Sequence, residues 1–333
     1  MVQTADGLGA FIRRHTAAFL CFALAGSLLT ACGSHKENVQ ELSGQPAAAV
    51  SSSAAPAPAE RTVKDEMGNE VKLPAAPKRI FAPYLEDCLL KLGIKPVVQW
   101  ANGTEGHPYL KVELQGVPTL DFSSGLPSPE ALLAYNPDFI ILHNANYASK
   151  GYESYSKIAP TYVFNNATGD VEKTLAVLGD LLGKSSEADQ AQKAYDQKVT
   201  EAKAKLAKVA EGKKASIIRF APRGISMMGA NYFAGHVLHQ ELGLGKVKLV
   251  EKENSANVSM EILPDIDADY IFTINQGGQG TDRIKEMMAS PIWKTMPAVK
   301  QGHVYEVDEA HWLGGGLIAY EKIMDDVVRL LVK

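Results

Sequence analysis

Cysteine is scarce in this chain of 333 residues, which has three, at positions 21, 32 and 88. Cys21 and Cys32 both lie near the amino terminus, so no framework of intrachain disulfides is expected in the folded part. Cys88 stands alone in the apolar stretch "EDCLLKLG". A lone cysteine in such a stretch is typical of a buried small hydrophobe rather than a catalytic thiol.

Several functional motifs are also missing. No G-x-G-x-x-G follows a predicted strand, no P-loop lysine is present, and "GISMMG" lacks the spacing of a nucleophile elbow. Lys and Arg number 34 against 38 Asp and Glu, so the chain has no general excess of positive charge. Nucleotide binding, hydrolase activity and nucleic-acid binding are therefore not indicated, and we expect a binding protein rather than an enzyme.

The amino terminus has the pattern of a secretory signal. Arg13 and Arg14 precede the apolar run "TAAFLCFALAGSLLTA", which is too short to span a bilayer comfortably. The sequence Leu29 to Cys32, "LTAC", resembles the bacterial lipobox, in which the cysteine is diacylated and becomes the new amino terminus. We predict a signal peptide over 1–31, lipidation at Cys32, and an extracytoplasmic protein anchored to the cell membrane by lipid. The alternative is an ordinary signal peptide whose cysteine is incidental.

Composition divides the rest of the chain. Residues 32–60 are rich in Ala, Ser, Pro and Gly without hydrophobic period, which predicts a flexible tether. Strand and helix patterns alternate over 61–168 and again over 212–333, which predicts two α/β lobes. Between them, 169–211 is a helical region, and its part from about residue 187 to residue 209 contains no Gly or Pro. This part predicts one long helix that joins the lobes.

The two predicted lobes share a pattern. "SPEALLAYNPDFIILHN" in the first and "SMEILPDIDADYIFTIN" in the second both have Ser, any residue, Glu, an apolar helix, an Asp and an apolar strand that ends in Asn. This match indicates structural pseudo-repetition. The alternative is that any two α/β steps look alike.

These segments, together with "LLKLGIKPVV", "WKTMPAVKQGHVYEVD" and "GGGLIAYEKIMDDVVRLL", resemble the substrate-binding lipoproteins of ABC importers for ferric siderophores, cobalamin and haem. The resemblance covers residues 61–333. It implies an α/β fold of two Rossmann-like lobes joined by a single long α-helix, with the ligand cleft between the lobes. It also implies a monomer that delivers its ligand to an ABC permease, with little closure on binding. Acidic residues on each lobe are expected to dock with the permease: Glu261 in the second lobe, and Glu86 or Asp87 in the first.

A ferric siderophore already supplies six hard oxygen ligands to iron, so the protein needs no metal ligands and no cofactor of its own. Aromatic and basic side chains at strand ends and in loops are the candidate ligand contacts. They are Tyr84, Trp100, Arg219, Arg223, Tyr232 and Trp312. Trp312 precedes three glycines, which suggests an indole open to the cleft. Two arginines with several aromatics favour a ferric hydroxamate.

The sequence leaves several other classes of ligand as alternatives. Arg283 and nearby lysines, if they point inward, favour an anionic ferric catecholate or citrate. Haem and cobalamin are further alternatives, because the family that this chain resembles includes binding proteins for both. A direct zinc or manganese binder would use dispersed histidines. The candidates are the pair His236 and His239 on one helical face, and the scattered His107, His143, His303 and His311.

Overall fold

The computed structural model of the protein describes residues 60–144, 151–231 and 233–332. The predicted signal peptide, Cys32, nearly all of the tether and the candidate contact Tyr232 lie outside the described residues. Within these ranges, no helix combines the length and the apolar character that crossing a membrane requires.

A β-hairpin opens the folded part. Strands β1 (Arg61–Lys64) and β2 (Glu70–Leu73) pair antiparallel. One carboxylate oxygen of Asp65 accepts hydrogen bonds from the backbone N–H groups of Met67 at 3.0 Å and Asn69 at 2.7 Å, while Gly68 takes a positive φ of 89° at the tip. A short polar side chain and a glycine thus set the turn.

The first lobe contains a parallel sheet of three short strands in the order β3-β6-β7 and a separate parallel pair, β4 and β5. Two short helices accompany the strands. Ser128 caps the second helix by accepting a hydrogen bond from the Ala131 N–H at 3.3 Å. The bounds are β3 (Ile80–Phe81), α1 (Glu86–Lys91), β4 (Gln99–Ala101), β5 (Thr119–Asp121), α2 (Pro129–Leu133), β6 (Phe139–Leu142) and β7 (Thr161–Val163).

Two helices fill the region between the lobes. Helix α3 (Val171–Leu181) begins at Asp170, whose side chain accepts from the Lys173 N–H at 3.0 Å. Helix α4 (Ser185–Ala210) has 26 residues, which corresponds to roughly 39 Å at 1.5 Å per residue. The sequence predicts this long helix from about residue 187, whereas the helix begins two residues earlier, at Ser185.

The second lobe contains a six-stranded mixed sheet, in which β8, β12 and β13 are parallel neighbours and β9 and β11 continue the sheet antiparallel. The strands are β8 (Lys214–Ala221), β9 (Gly224–Met228), β10 (Gly245–Lys246), β11 (Ser255–Asn257), β12 (Tyr270–Asn275) and β13 (Val304–Val307). The helices are α5 (Phe233–His236), α6 (Thr281–Ala289), α7 (Pro291–Thr295), α8 (Pro297–Lys300), α9 (Glu309–Trp312) and α10 (Leu317–Leu331).

Two helical segments of this lobe differ from the simple α-helices that their sequences predict. Helix α5 continues into one π-helical turn, Val237–Glu241. The segment Met260–Asp265 is a 3-10 helix that contains Pro264, and the side chain of Ser259 makes no cap. Because proline disrupts an α-helical hydrogen bond, the second copy of the repeated pattern is tighter than the first.

The largest apolar core is shared by both lobes. It joins Ile80 and Leu89 of the first lobe to Ile217 and Phe272 of the second, with Leu206 of α4 between them. Cys88 lies in this core and is 1% exposed, which confirms it as a buried hydrophobe. A continuous core at the junction favours two lobes with a fixed relative orientation over two independent domains.

Polar contacts reinforce this junction. Asp87 of α1 accepts hydrogen bonds from the backbone N–H groups of Ile318 at 2.9 Å and Ala319 at 3.0 Å, at the start of α10. Lys91 forms an ion pair with Glu321 of α10 at 2.6 Å. Helix α1 of the first lobe is therefore attached to the last helix of the second lobe by both charge and packing.

Candidate functional site

A cleft of about 740 Å³ lies between the two lobes. Its first side follows the carboxyl ends of β3, β4 and β6, and its second side includes the residues that follow β13. Ligands of α/β folds bind at such strand ends. The first side is formed by Tyr84, Trp100, Asn102, Glu105, Gly106, His107, Pro108, Tyr109, His143 and Thr168. The second side is formed by Phe233, Asp308, Glu309, Ala310, Leu313, Gly314 and Gly315.

Four rings of the first lobe form a continuous aromatic wall, which consists of Tyr84, Trp100, His107 and His143. The ring centroids of Tyr84 and Trp100 are 5.1 Å apart, those of Tyr84 and His143 are 4.5 Å apart, and His107 stacks on Trp100 at 4.7 Å. Tyr84 has a positive φ of 66°, which is unfavourable for a residue with a bulky side chain. Such strain is concentrated at ligand-binding sites, and here it belongs to the residue at the centre of the wall.

A buried carboxylate lies behind this wall. Glu86 is 0% exposed, and its Oε1 accepts a hydrogen bond from the Trp100 N–H at 2.7 Å. Its Oε2 has no hydrogen-bond partner and lies 3.4 Å from Nε2 of His107. Burial lowers the pKa of His143 to about 4, against a weaker opposing effect of Glu86, so the His143 ring is neutral at pH 7.

On the second side of the cleft, Asp326 of α10 makes hydrogen bonds with helix α9. One of its oxygens accepts from Trp312 Nε1 at 3.0 Å and lies 2.8 Å from Nε2 of His311. Burial acts to raise the pKa of Asp326, but hydrogen bonds with His311, Arg329 and Trp312 hold this pKa well below its usual range. Helix α9, which carries His311 and Trp312, is thereby fixed at the edge of the cleft.

The structure brings Tyr84 and Trp100 together at the cleft, as the sequence analysis expected of ligand contacts. It does not do so for the arginines. Arg219 is half-buried in β8, where its Nε has no hydrogen-bond partner, and Arg223 is exposed in the turn before β9. Neither is among the residues that line the cleft, and Arg283 donates to the Ala221 carbonyl at 3.0 Å.

The expectation that Trp312 is open to the cleft is wrong. The side chain is 0% exposed and packs on Phe272, with the ring centroids 4.9 Å apart. The glycines that follow serve close packing instead. A Cβ on Gly316 would lie 2.1 Å from Cγ of Asp87, and a Cβ on Gly314 would lie 2.7 Å from that of Ala319.

The expected docking role of Glu86 or Asp87 is also contradicted. Asp87 is 2% exposed, and Glu86 has no exposed surface, so neither carboxylate can contact an arginine of another protein. Burial raises the pKa of Asp87 to about 6, although its two backbone hydrogen bonds lower it. Both acids are internal groups of the junction and the cleft, whereas Glu261 is exposed at the start of its 3-10 helix.

The histidines are dispersed. His107 and His143 line the cleft, and His236 lies beside Glu241 at 3.2 Å in a second, polar cavity of about 640 Å³ against α4. His303 contacts the backbone of Asp269, at the start of β12. In the described ranges, no three His, Cys, Asp or Glu side chains are grouped so that they could hold a metal ion.

Sequence reasoning missed Phe233, Leu313 and Tyr109 as cleft residues. It named His107 and His143 only as metal ligands. The signal for His143 was available, because this residue directly follows the buried strand "FIIL", at the strand end where ligand contacts are expected. No comparable signal marks Phe233, which reaches the cleft only through the packing of the second lobe against the first.

Comparison with known proteins gives a consistent result. A model of the periplasmic binding protein family matches residues 87–310. The chain is 29% identical over 339 residues to the "Probable siderophore-binding lipoprotein YfiY" of Bacillus subtilis (strain 168), with 97% of this chain and 99% of the relative covered. It is 29% identical over 326 residues to the "Iron(3+)-hydroxamate-binding protein FhuD" of the same organism, with coverage of 95% and 97%.

Among solved structures, Staphylococcus aureus SirA complexed with staphyloferrin B is similar, with a TM-score of 0.72 and 27% identity. The match covers 81% of this chain and 98% of that chain. The expected architecture, two α/β lobes joined by one long helix, is confirmed.

Proposed function

Since the chain belongs to the periplasmic binding protein family, we propose that it captures a ferric siderophore between its lobes and delivers it to an ABC permease for iron uptake. The observation that carries this proposal is the aromatic wall of Tyr84, Trp100, His107 and His143 along a cleft of about 740 Å³. A cleft of this size suits a small organic complex, and rings with a few polar groups suit one whose iron is already coordinated.

The side chains that line the cleft are not arranged as the ligands of a bare metal ion. Zinc and manganese need several nitrogen, sulfur or carboxylate donors that converge on one point. In the wall, His107 and His143 both contact the ring of Tyr84, which lies between the two histidines. We therefore propose that the histidines act as ring surfaces, that the transported complex brings all the ligands of the iron, and that the protein needs no cofactor.

A ferric hydroxamate is the class we favour. The part of the cleft lining that the structure describes contains no lysine or arginine, whereas multiply anionic catecholates and citrates require several basic partners. A relative that is similar over 95% of this chain is named as an iron(3+)-hydroxamate-binding protein. Ferric citrate is the second candidate, since a further relative, 26% identical over 264 residues, is named as an Fe(3+)-citrate-binding protein.

We propose that the protein is anchored by lipid to the outer face of a membrane. The lipobox-like "LTAC" ends in Cys32, and a relative that covers 97% of this chain is named as a lipoprotein. Mass spectrometry of the protein purified from membranes tests this, because a diacylated amino-terminal Cys32 is expected. An unmodified Cys32 within a longer chain would contradict it.

The family resemblance implies docking with the permease through acids on both lobes, and such acids must be exposed. Glu261 in "SMEIL" is exposed. The repeated pattern aligns Glu261 with Glu130 in "SPEAL", which is exposed in the first turn of α2. We propose that Glu130 takes the first-lobe role that Glu86 and Asp87 cannot take, because it has the same place in the repeat and free access to solvent.

Equilibrium dialysis of the purified chain against iron-loaded and iron-free ligands tests the proposed function. Ferric hydroxamates, ferric citrate, a ferric catecholate, haem and cobalamin are compared. The proposal expects saturable retention of ferric hydroxamate and no retention of the iron-free ligand. Retention of haem or cobalamin alone would replace the proposed ligand class.

A further inference from the structure

We propose that the cleft prefers a ferric complex that carries a positive charge, and that a protonated amine of this ligand lies against the ring of Trp100, near the carboxylates of Glu105 and Glu86. The inference rests on the proposed function, because it assumes that a ferric siderophore occupies the cleft. It adds the sign of the charge that the ligand carries and the part of the cleft that recognises it.

The charged groups that line the cleft are of one sign. Within the described residues, the lining contains the acids Glu105, Asp308 and Glu309 and no lysine or arginine. Glu105 and Asp308 are exposed, and Glu309 accepts a hydrogen bond from the Gly277 N–H at 2.7 Å. Clefts lined by one sign of charge attract ligands of the opposite sign.

Glu86 adds a fourth carboxylate behind the wall. Its Oε2 is buried without a hydrogen bond, 3.4 Å from the His107 ring that stacks on Trp100. A buried carboxylate oxygen without a partner costs free energy, and a cation brought near it reduces that cost. The His143 ring does not neutralise this charge at pH 7, because burial lowers the pKa of His143 to about 4.

The wall itself suits a cation. Protonated amines are attracted to the faces of tryptophan and tyrosine rings, and clusters of such rings with nearby acids recognise ammonium groups. Trp100 and Tyr84 are half-buried with ring centroids 5.1 Å apart, and Tyr109 and Phe233 complete the ring surface of the cleft. Rings and carboxylates therefore act together on the same ligand group.

A matched series of ligands isolates the effect of charge. Ferrioxamine B is a neutral ferric trishydroxamate with one pendant protonated amine, N-acetylation makes it neutral, and N-succinylation replaces the positive charge with a negative one. We expect isothermal titration of the purified full chain at low ionic strength to show ferrioxamine B binding about tenfold more tightly than its N-acetyl form. The N-succinyl form should bind more weakly still, and added salt should narrow the differences.

Two variants locate the recognition. Glu105→Gln removes an exposed acid of the lining and should reduce the ratio between the affinities for ferrioxamine B and for its N-acetyl form by severalfold. Glu86→Gln tests the buried carboxylate in the same way, and thermal unfolding checks that this variant is folded. Asp189→Asn, which neutralises an exposed acid on α4, is the control and should leave the ratio unchanged.

Equal binding of the three ligands, or tightest binding of the N-succinyl form, would overturn the charge preference and leave the proposed function intact. No binding of any of the three would overturn both. An unchanged ratio in Glu105→Gln and in folded Glu86→Gln would overturn the assignment of these carboxylates.

Discussion

Asp87 accepts a hydrogen bond from the backbone N–H of Ile318 across the junction of the two lobes, at 2.9 Å. The same carboxylate accepts from the Ala319 N–H at 3.0 Å, so a side chain of the first lobe caps the last helix of the second. Helix α9, which contributes Glu309 and Ala310 to the cleft, directly precedes α10 in sequence. The geometry of the cleft therefore depends on a contact between two residues that are 231 positions apart in sequence.

Removing this cap should destabilise the protein. Asp87→Ala leaves two amide groups at the start of α10 without a partner in a buried place, and we expect a loss of about 1–2 kcal/mol in the free energy of unfolding. Asp325→Ala, which removes an exposed acid from the same helix, should change stability by less than about 0.5 kcal/mol. Urea unfolding measures both, and equal effects would contradict the capping role of Asp87.

A substitution at Gly316, at the start of α10, tests the contact between Asp87 and this helix. A Cβ on Gly316 would lie 2.1 Å from Cγ of Asp87, so Gly316→Ala should push the two lobes apart and destabilise the protein. In the double variant with Asp87→Ala, the added methyl group has room, and the combined loss should be smaller than the sum of the single losses. Additive losses in the double-mutant cycle would refute this account.

The two tryptophans near the cleft should behave differently. Trp100→Ala removes a ring of the wall and should weaken ligand binding by at least about tenfold with modest loss of stability. Trp312→Ala empties a fully buried site and should cost about 3–5 kcal/mol in the free energy of unfolding. Paired ligand titrations and thermal melts distinguish them. A normal affinity in Trp100→Ala would remove this residue from the site.

Iron uptake by cells should depend on the exposed acids Glu130 and Glu261, whereas the affinity of the protein for its ligand should not. Glu130→Ala and Glu261→Ala are each expected to reduce iron uptake by cells severalfold or more while the purified protein keeps its affinity for the ligand. Asp189→Ala on α4 provides an exposed control with no expected effect on uptake. If Glu261→Ala lost affinity for the ligand instead, its docking assignment would be wrong.

Acid should destabilise the protein through His143. Burial lowers the pKa of this histidine to about 4 from 6.5, so the unfolded chain binds more protons between these values and stability falls as pH drops through them. The full effect corresponds to roughly 3 kcal/mol. Urea unfolding at pH 6.5 and pH 4 should show a smaller loss in His143→Phe than in the unmodified chain.

Asp87 acts in the opposite direction. Burial raises its pKa to about 6 from 3.8, so its contribution is most favourable below the lower value and is lost as pH rises through the upper one. Asp87→Asn should therefore lose more stability than the unmodified chain when pH drops from 6 to 4. A pH profile that neither variant alters would contradict both assignments.

The sequence predicts the fold better than the site. The hairpin around Gly68, the Ser128 cap, the long helix α4 and the buried strands all depend on local patterns, and the structure contains each of them. Pro264 shows a local limit, because it makes the second copy of the repeat a 3-10 helix.

The errors at the site have another cause. The position of Trp312 beside three glycines suggested openness, whereas the glycines allow Asp87 and α10 to approach. Asp87 and Glu86 were expected to be docking acids because of the family resemblance, but both are buried in the structure. The burial of Asp87 depends on contacts with Ile318 and Ala319, more than 200 residues away, and the burial of Trp312 depends on packing against Phe272 of β12. No local pattern encodes such contacts.

Tryptophan fluorescence offers the most direct test of the central claim that a ferric siderophore binds against the aromatic wall. The chain has three tryptophans, of which Trp293 and Trp312 are buried and Trp100 lines the cleft. Titration with ferrioxamine B should give saturable quenching at submicromolar concentration, none with the iron-free ligand, and a much smaller change in Trp100→Phe. Undiminished quenching in Trp100→Phe, or no response to any ferric siderophore, would contradict the account.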